Sequence, residues 1–152
     1  MLDRLQTPSL AQPRLSPPLL AAASIQIFVV VAASTYWALW YGGGRGLLTE
    51  ETSAAYIAFQ DAFLLADGWL VLTCVLGALA ILRRSPSWRS WVLLGASASI
   101  FLGLMDVCFD LENGVYRSAG GGGAMLELSL NSMALGFGGY GVWLGRLGEV
   151  RS

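Results

Sequence analysis

The 152-residue chain is 55% hydrophobic and only 12% charged, against roughly 25% charged residues in an ordinary soluble domain, so a water-soluble globular fold is excluded as the expectation. It contains no histidine, which removes His-based catalytic triads, haem ligation through histidine and the usual zinc sites. All nine of its basic residues are arginines, and nothing in their pattern supports a nucleic-acid partner.

Four apolar runs follow one another along the chain, each near the ~20 residues a helix needs to cross a bilayer. The first, about 19–41, follows a short N-terminal segment, 1–18, that carries Arg4 and Arg14. A positive start and small residues at Ala21, Ala22 and Ala23 suggest a cleavable leader. Apolar character, however, persists to Tyr36, Trp37, Trp40 and Tyr41, well beyond the ~7–15 residues of a leader core, so a retained helix is expected. Ser16-Pro17-Pro18 supplies its start and Gly42-Gly43-Gly44 its stop.

The second run, about 57–82, contains two carboxylates, Asp61 and Asp67. Stepped at the period of packed bundles, Gln60, Leu64, Asp67, Val71, Cys74 and Ala78 form one line, with Asp61 about 100° around from Gln60. The third run, about 91–110, has Gly95, Ser99, Gly103, Asp106 and Asp110 on one line, and Asn113 one step beyond. The fourth, about 124–145, has the clearest seam: Glu127, Asn131, Ala134, Gly138, Gly141 and Gly145. One end of that seam is polar and the other is glycine, which lets a neighbouring backbone approach closely. In the first run only Gln26 breaks the apolar pattern, on a line with Val30, Ala33 and Trp37.

These runs predict an all-α protein: a four-helix transmembrane bundle with antiparallel neighbours and short loops, in a single domain over 19–146, followed by a short tail at 147–152. No room is left for a soluble domain, which usually needs ~50 residues or more. Gly120–Gly123 reads as a flexible connector that would also serve as a hinge.

Arginine sets the expected orientation. Arg4, Arg14, Arg83, Arg84, Arg89, Arg146 and Arg151 fall on one side, and Arg45 and Arg117 on the other, so both termini are expected in the cytoplasm. Trp88 and Trp91 at one face, and Trp37, Trp40, Tyr41 and Tyr56 at the other, read as interfacial belts. The missing lysines and the wealth of Ala, Gly and Arg point to a GC-rich bacterial genome, hence a bacterial plasma membrane.

At a rise of ~1.5 Å per residue, Asp67 lies ~15 Å from the outer end of its helix, near the midplane. Asp106 and Glu127 lie ~6 and ~5 Å deep, and Asn131 ~10 Å. An ionisable group at membrane depth costs roughly 2.5–3.5 kcal/mol on insertion scales, and marks a functional site by default. The candidate ligand-binding residues are therefore Asp67, Asp106, Glu127, Asn131, Gln60 and Asp110, gathered in one outward-facing vestibule with Asp67 at its floor. Gly103, Gly138, Gly141 and Gly145 are the packing seam. Cys74 and Cys108 should be separated by ~20 Å in depth, too far for a disulfide.

Three functions fit. The vestibule would bind or carry a cation, either an inorganic ion or an amphipathic organic amine. Alternatively, two of its acids would serve as acid and base on a lipid-like substrate, with no catalytic residue singled out. Or the chain is an accessory subunit whose fourth helix packs on a second copy or on a partner membrane subunit. No cofactor and no resident metal is expected, and the lipid bilayer is the one certain environment.

Overall fold

The computed structural model describes residues 15–49, 52–118 and 122–147. The expectations for the N-terminal segment, for the glycines at 120 and 121, and for the tail fall outside the described residues. The described residues are helical with no strand. Four long helices, α1 (Pro17–Tyr41), α2 (Ala54–Leu82), α3 (Trp88–Asn113) and α5 (Gly122–Leu147), are joined by tight connections, with a single turn, α4 (Val115–Ser118), between α3 and α5. A 3-10 turn, Arg45–Leu47, follows α1.

Helix ends follow local chemistry. Proline opens α1, where its missing N–H is not needed. The Ser53 side chain accepts the Tyr56 amide at 3.3 Å and starts α2 three residues before the apolar run begins. Gly114, left-handed at φ 68°, ends α3 three residues past the expected Asp110, because only glycine takes that conformation without a Cβ penalty.

The long helices pack in chain order, α1 on α2, α2 on α3 and α3 on α5, and the pairs run antiparallel. Along α1 and α2, Gln26 meets Gly77 while Trp37 meets Asp67 and Trp40 meets Asp61. Along α3 and α5, Gly145 meets Leu93, Gly141 meets Ala96 and Ser99 donates to the Ala134 carbonyl at 2.8 Å. The first and last members, α1 and α5, come together at one end. There the Tyr140 hydroxyl donates to the Pro18 carbonyl at 2.9 Å, and Ala22, Ala23, Ile81, Val92 and Leu144 form a buried cluster. This is the arginine end of the molecule, with Arg83, Arg84, Arg89 and Arg146.

The glycine seam packs against α3 of the same chain. A Cβ at Gly138 would collide with Ile100 and come within 2.9 Å of the Ala96 carbonyl oxygen; one at Gly141 would stand 2.7 Å from the Ala96 Cβ. Gly103 is the reciprocal notch on α3, 3.2 Å from Ala134 by the same measure. Small residues thus bring the two backbones together, and hydrogen bonds and dispersion replace the hydrophobic drive that lipid cannot supply.

Three helices, α1, α2 and α3, are long and apolar enough to cross a membrane. Large apolar side chains such as Phe28, Val31, Leu65, Phe101 and Leu104 stand on the surface, as suits a multi-pass membrane protein and not a water-soluble one. The fourth run differs from expectation in this respect. It forms a helix of 26 residues, as long as α3, but its apolarity is diluted by its glycines, Glu127, Asn131 and Arg146, so composition alone does not make it a span.

Candidate functional site

The acidic end is built from α1, α2, α3, α4 and α5. Its carboxylates come from Asp61 and Asp67 on α2, Asp106 and Asp110 on α3 and Glu127 on α5, and its hydrogen-bond donors come largely from aromatic rings. Trp37 Nε1 donates to Asp67 Oδ2 at 2.9 Å, Trp40 Nε1 to Asp61 Oδ1 at 2.8 Å, and the Tyr36 hydroxyl to Gln60 Oε1 at 3.3 Å. The Tyr56 hydroxyl reaches from α2 to Glu127 Oε1 at 3.2 Å.

These aromatic residues depart from the expectation of an interfacial belt. Trp40 and Tyr56 are 2% and 3% exposed, and Tyr36 and Trp37 are half-buried; of the group only Tyr41 is largely exposed, at 57%. Their rings form a continuous layer. Tyr36 stacks on Trp40, Tyr41 on Trp37, and Phe59 lies flat on Phe109 at 3.8 Å between centroids. The sequence signal was available, since Tyr36, Trp37 and Trp40 fall at helical spacing opposite the α2 acids. A ring with a polar N–H or O–H, once buried, seeks an acceptor.

The candidate residues fall into two groups. Asp110 and Asn131 are a joint: Asn131 Nδ2 donates to Asp110 Oδ2 and to the Tyr116 hydroxyl oxygen, both at 2.9 Å, and Tyr116 in turn bonds to Asp110. Asp110 and Asn131 are 3% and 2% exposed, so this triangle ties α3, α4 and α5 into one rigid corner. Burial holds the Tyr116 hydroxyl above its ordinary pKa, which keeps it a donor at neutral pH.

Asp106 is different. It accepts no hydrogen bond among the described residues, and it lies in the electrostatic field of Glu127, Asp110 and Asp67 together. Tyr36 sits in the same field, of Tyr56, Glu127, Asp106 and Asp67, which places its hydroxyl among acids from three helices. No arginine among the described residues acts on any of these four carboxylates. Asp67, expected to be the uncompensated acid, instead has the Trp37 indole as its donor, so the least satisfied carboxylate is Asp106. Asp61, set apart by its angle around α2, is exposed and bonded to Trp40 and Tyr41.

Two features bound what this cluster can hold. Among the described residues no three acidic or thiol side chains stand close enough to clasp one metal ion. Beneath the acids lies an apolar layer of Leu70, Cys74, Leu102 and Phe137, all buried, with Phe63 and Ala66 packed on it. On the expected packed line of α2, Cys74 and Ala78 are buried but Leu64 is 39% exposed, and Leu70, Thr73 and Gly77, off that line, are buried as well. Cys74 is buried and Cys108 exposed, and both are free thiols. A cation already sits on the aromatic rim: the Arg45 guanidinium lies 4.2 Å above the Trp40 ring.

No protein-family model, curated protein or solved structure matches this chain.

Proposed function

We propose that the protein is a four-helix membrane protein of the bacterial plasma membrane that binds a lipophilic organic cation at its acidic end. In this reading α5 is the fourth span, supported by its length and by its antiparallel contact with α3, and both termini lie in the cytoplasm with the arginine end. The observation that carries the binding site is Asp106: a half-buried carboxylate in the field of three further acids, with no hydrogen-bond donor and no neutralising basic side chain among the described residues. An added cation is the group such a site lacks.

An organic cation fits better than an inorganic ion. The acids among the described residues are too dispersed to chelate a metal, while the half-buried rings of Tyr36 and Trp37 beside them suit a large, weakly hydrated charge. The apolar layer under the acids gives the lipophilic part of such a ligand a surface, and it blocks a continuous polar path to the arginine end. The protein is on this view a binder and not a pore.

A pair of probes of one shape and opposite charge tests the reading. Tetraphenylphosphonium should raise the thermal midpoint of the purified protein, and tetraphenylborate should not. Asp106→Asn should weaken the cation about tenfold or more, the loss of ~1.4 kcal/mol or more of attraction, without lowering stability in its absence. Equal effects of the two probes, or undiminished binding by Asp106→Asn, would sink the proposal.

A further inference from the structure

At the opposite end of the molecule from the acids, a cavity of about 380 Å3 opens between the start of α1, the end of α2 and the start of α3. Its apolar wall is Leu15, Leu19 and Ile81, and its polar rim is Arg84, Ser85 and Trp88. Arg84 is held in the left-handed region at φ 55°, the one non-glycine residue with positive φ among the described residues. Its backbone is fixed there by the turn that closes α2, in which its amide donates to the Ile81 carbonyl at 3.0 Å and the Ser85 amide to the Ala80 carbonyl at 2.8 Å. The Arg84 guanidinium makes no hydrogen bond or ion pair with any described residue. The Ser85 hydroxyl, on the same rim as Arg84, lies 2.8 Å from that of Ser87.

We infer that this cavity is a binding site for an anionic phospholipid, with the phosphate at Arg84 and Ser85 and the glycerol and upper acyl segments along Leu15, Leu19 and Ile81. Charge selects the occupant. This end carries Arg83, Arg84, Arg89 and Arg146, and every acidic residue among the described ones lies toward the other end. The cavity sits where three helices reach the end of their apolar length, which is the depth of lipid headgroups, and Trp88 on its rim is the residue type that settles at that level. Basic pockets between helices at a membrane surface are a recurrent way of holding lipid phosphate. The site is independent of the cation site and needs only that the chain lie in a bilayer.

Native mass spectrometry of the full chain in mild detergent, with dioleoylphosphatidylglycerol or dioleoylphosphatidylcholine added, provides the test. The anionic lipid should be retained preferentially and should raise the thermal midpoint more than the zwitterionic one. Arg84→Gln should weaken retention about fivefold, the worth of one arginine at a charged surface, whereas Arg83→Gln, off the cavity, should change it less than about twofold. Arg84→Gly guards against misfolding, since it removes the charge while relieving the left-handed backbone. It should fold at least as stably as the parent and still lose the lipid. Equal retention of the two lipids, equal losses from the Arg83 and Arg84 variants, or full competition by soluble glycerol 1-phosphate would overturn the assignment. So would a dimer that comes apart when Arg84 is replaced, since a second copy would then be the occupant.

Discussion

The two ends of the molecule hold helices together by opposite means. At the arginine end the backbones are close: Gly138, Gly141 and Gly145 bring α5 against α3, Gly77 receives Gln26, and α1 closes on α5 through Tyr140. At the acidic end helices are bridged by long side chains, as when Tyr56 spans from α2 to Glu127 on α5, although those two helices have no backbone contact. Close packing leaves no room for a ligand between α3 and α5. Bridging by side chains holds the acidic end without such backbone approach, which suits the cation site proposed there, and the glycine seam is the frame that supports it.

This contrast is broken most directly at the seam. Gly138→Leu must displace α5 from α3, because the side chain would collide with Ile100 and with the Ala96 backbone; a loss of about 3 kcal/mol is expected in detergent unfolding. Gly139→Leu, one residue along and with open space around its Cβ position, should stay within about 0.5 kcal/mol of the parent. Similar losses from both would mean that composition and not the seam holds the helix. Next in size is the rigid corner of the acidic end. Asn131→Leu leaves buried Asp110 short of a donor and should cost about 2 kcal/mol, against no loss for Asp106→Asn. A stability loss for Asp106→Asn as large as that for Asn131→Leu would place Asp106 in the structural joint and remove it from the site.

Much of this was legible in the residues. The membrane class, the all-helical character and the stepping of small residues along the fourth run follow from hydropathy and a period near 3.6, both of which are local. The gathering of Asp67, Asp106, Asp110 and Glu127 toward one end followed from depth, since antiparallel neighbours of similar length bring equal depths together. What depth does not carry is rotation. Asp67 and Asp106 both lie in the acidic half of the molecule, but Asp67 turns toward α1 and its Trp37, and Asp106 lies in the field of the other acids. Rotation is set by pairs of faces: on α2, Cys74 and Ala78 are buried as their line implies and Leu64 is not, and Thr73 and Gly77, small and unremarkable in sequence, are where α3 and α1 press closest. The aromatic layer was missed for a related reason: tryptophan and tyrosine near a helix end fit a lipid interface and a buried donor equally well until a partner acid is placed opposite.

Gln26 sharpens the comparison between the ends, since it is a polar group inside the tightly packed region. It is 1% exposed, neither its Oε1 nor its Nε2 has a hydrogen-bond partner among the described residues, and it is pressed against Gly77. Gln26→Met keeps the length and removes the unsatisfied amide, so thermal unfolding should show a gain of about 1 kcal/mol. A loss would show that the amide is satisfied by a group such as a buried water.

The smallest expected effect lies in the aromatic layer. Trp37→Phe and Asp67→Asn each remove the indole-to-carboxylate bond, and a double-mutant cycle isolates it from the burial of the ring. Side-chain hydrogen bonds between membrane helices average about 0.6 kcal/mol, and a coupling of that size is expected here. A coupling near zero would mean that the ring is held by its contacts with the Tyr36, Trp40 and Tyr41 rings. Asp67 would then stand as unsatisfied as Asp106, and the proposed cation site would have two free carboxylates in place of one.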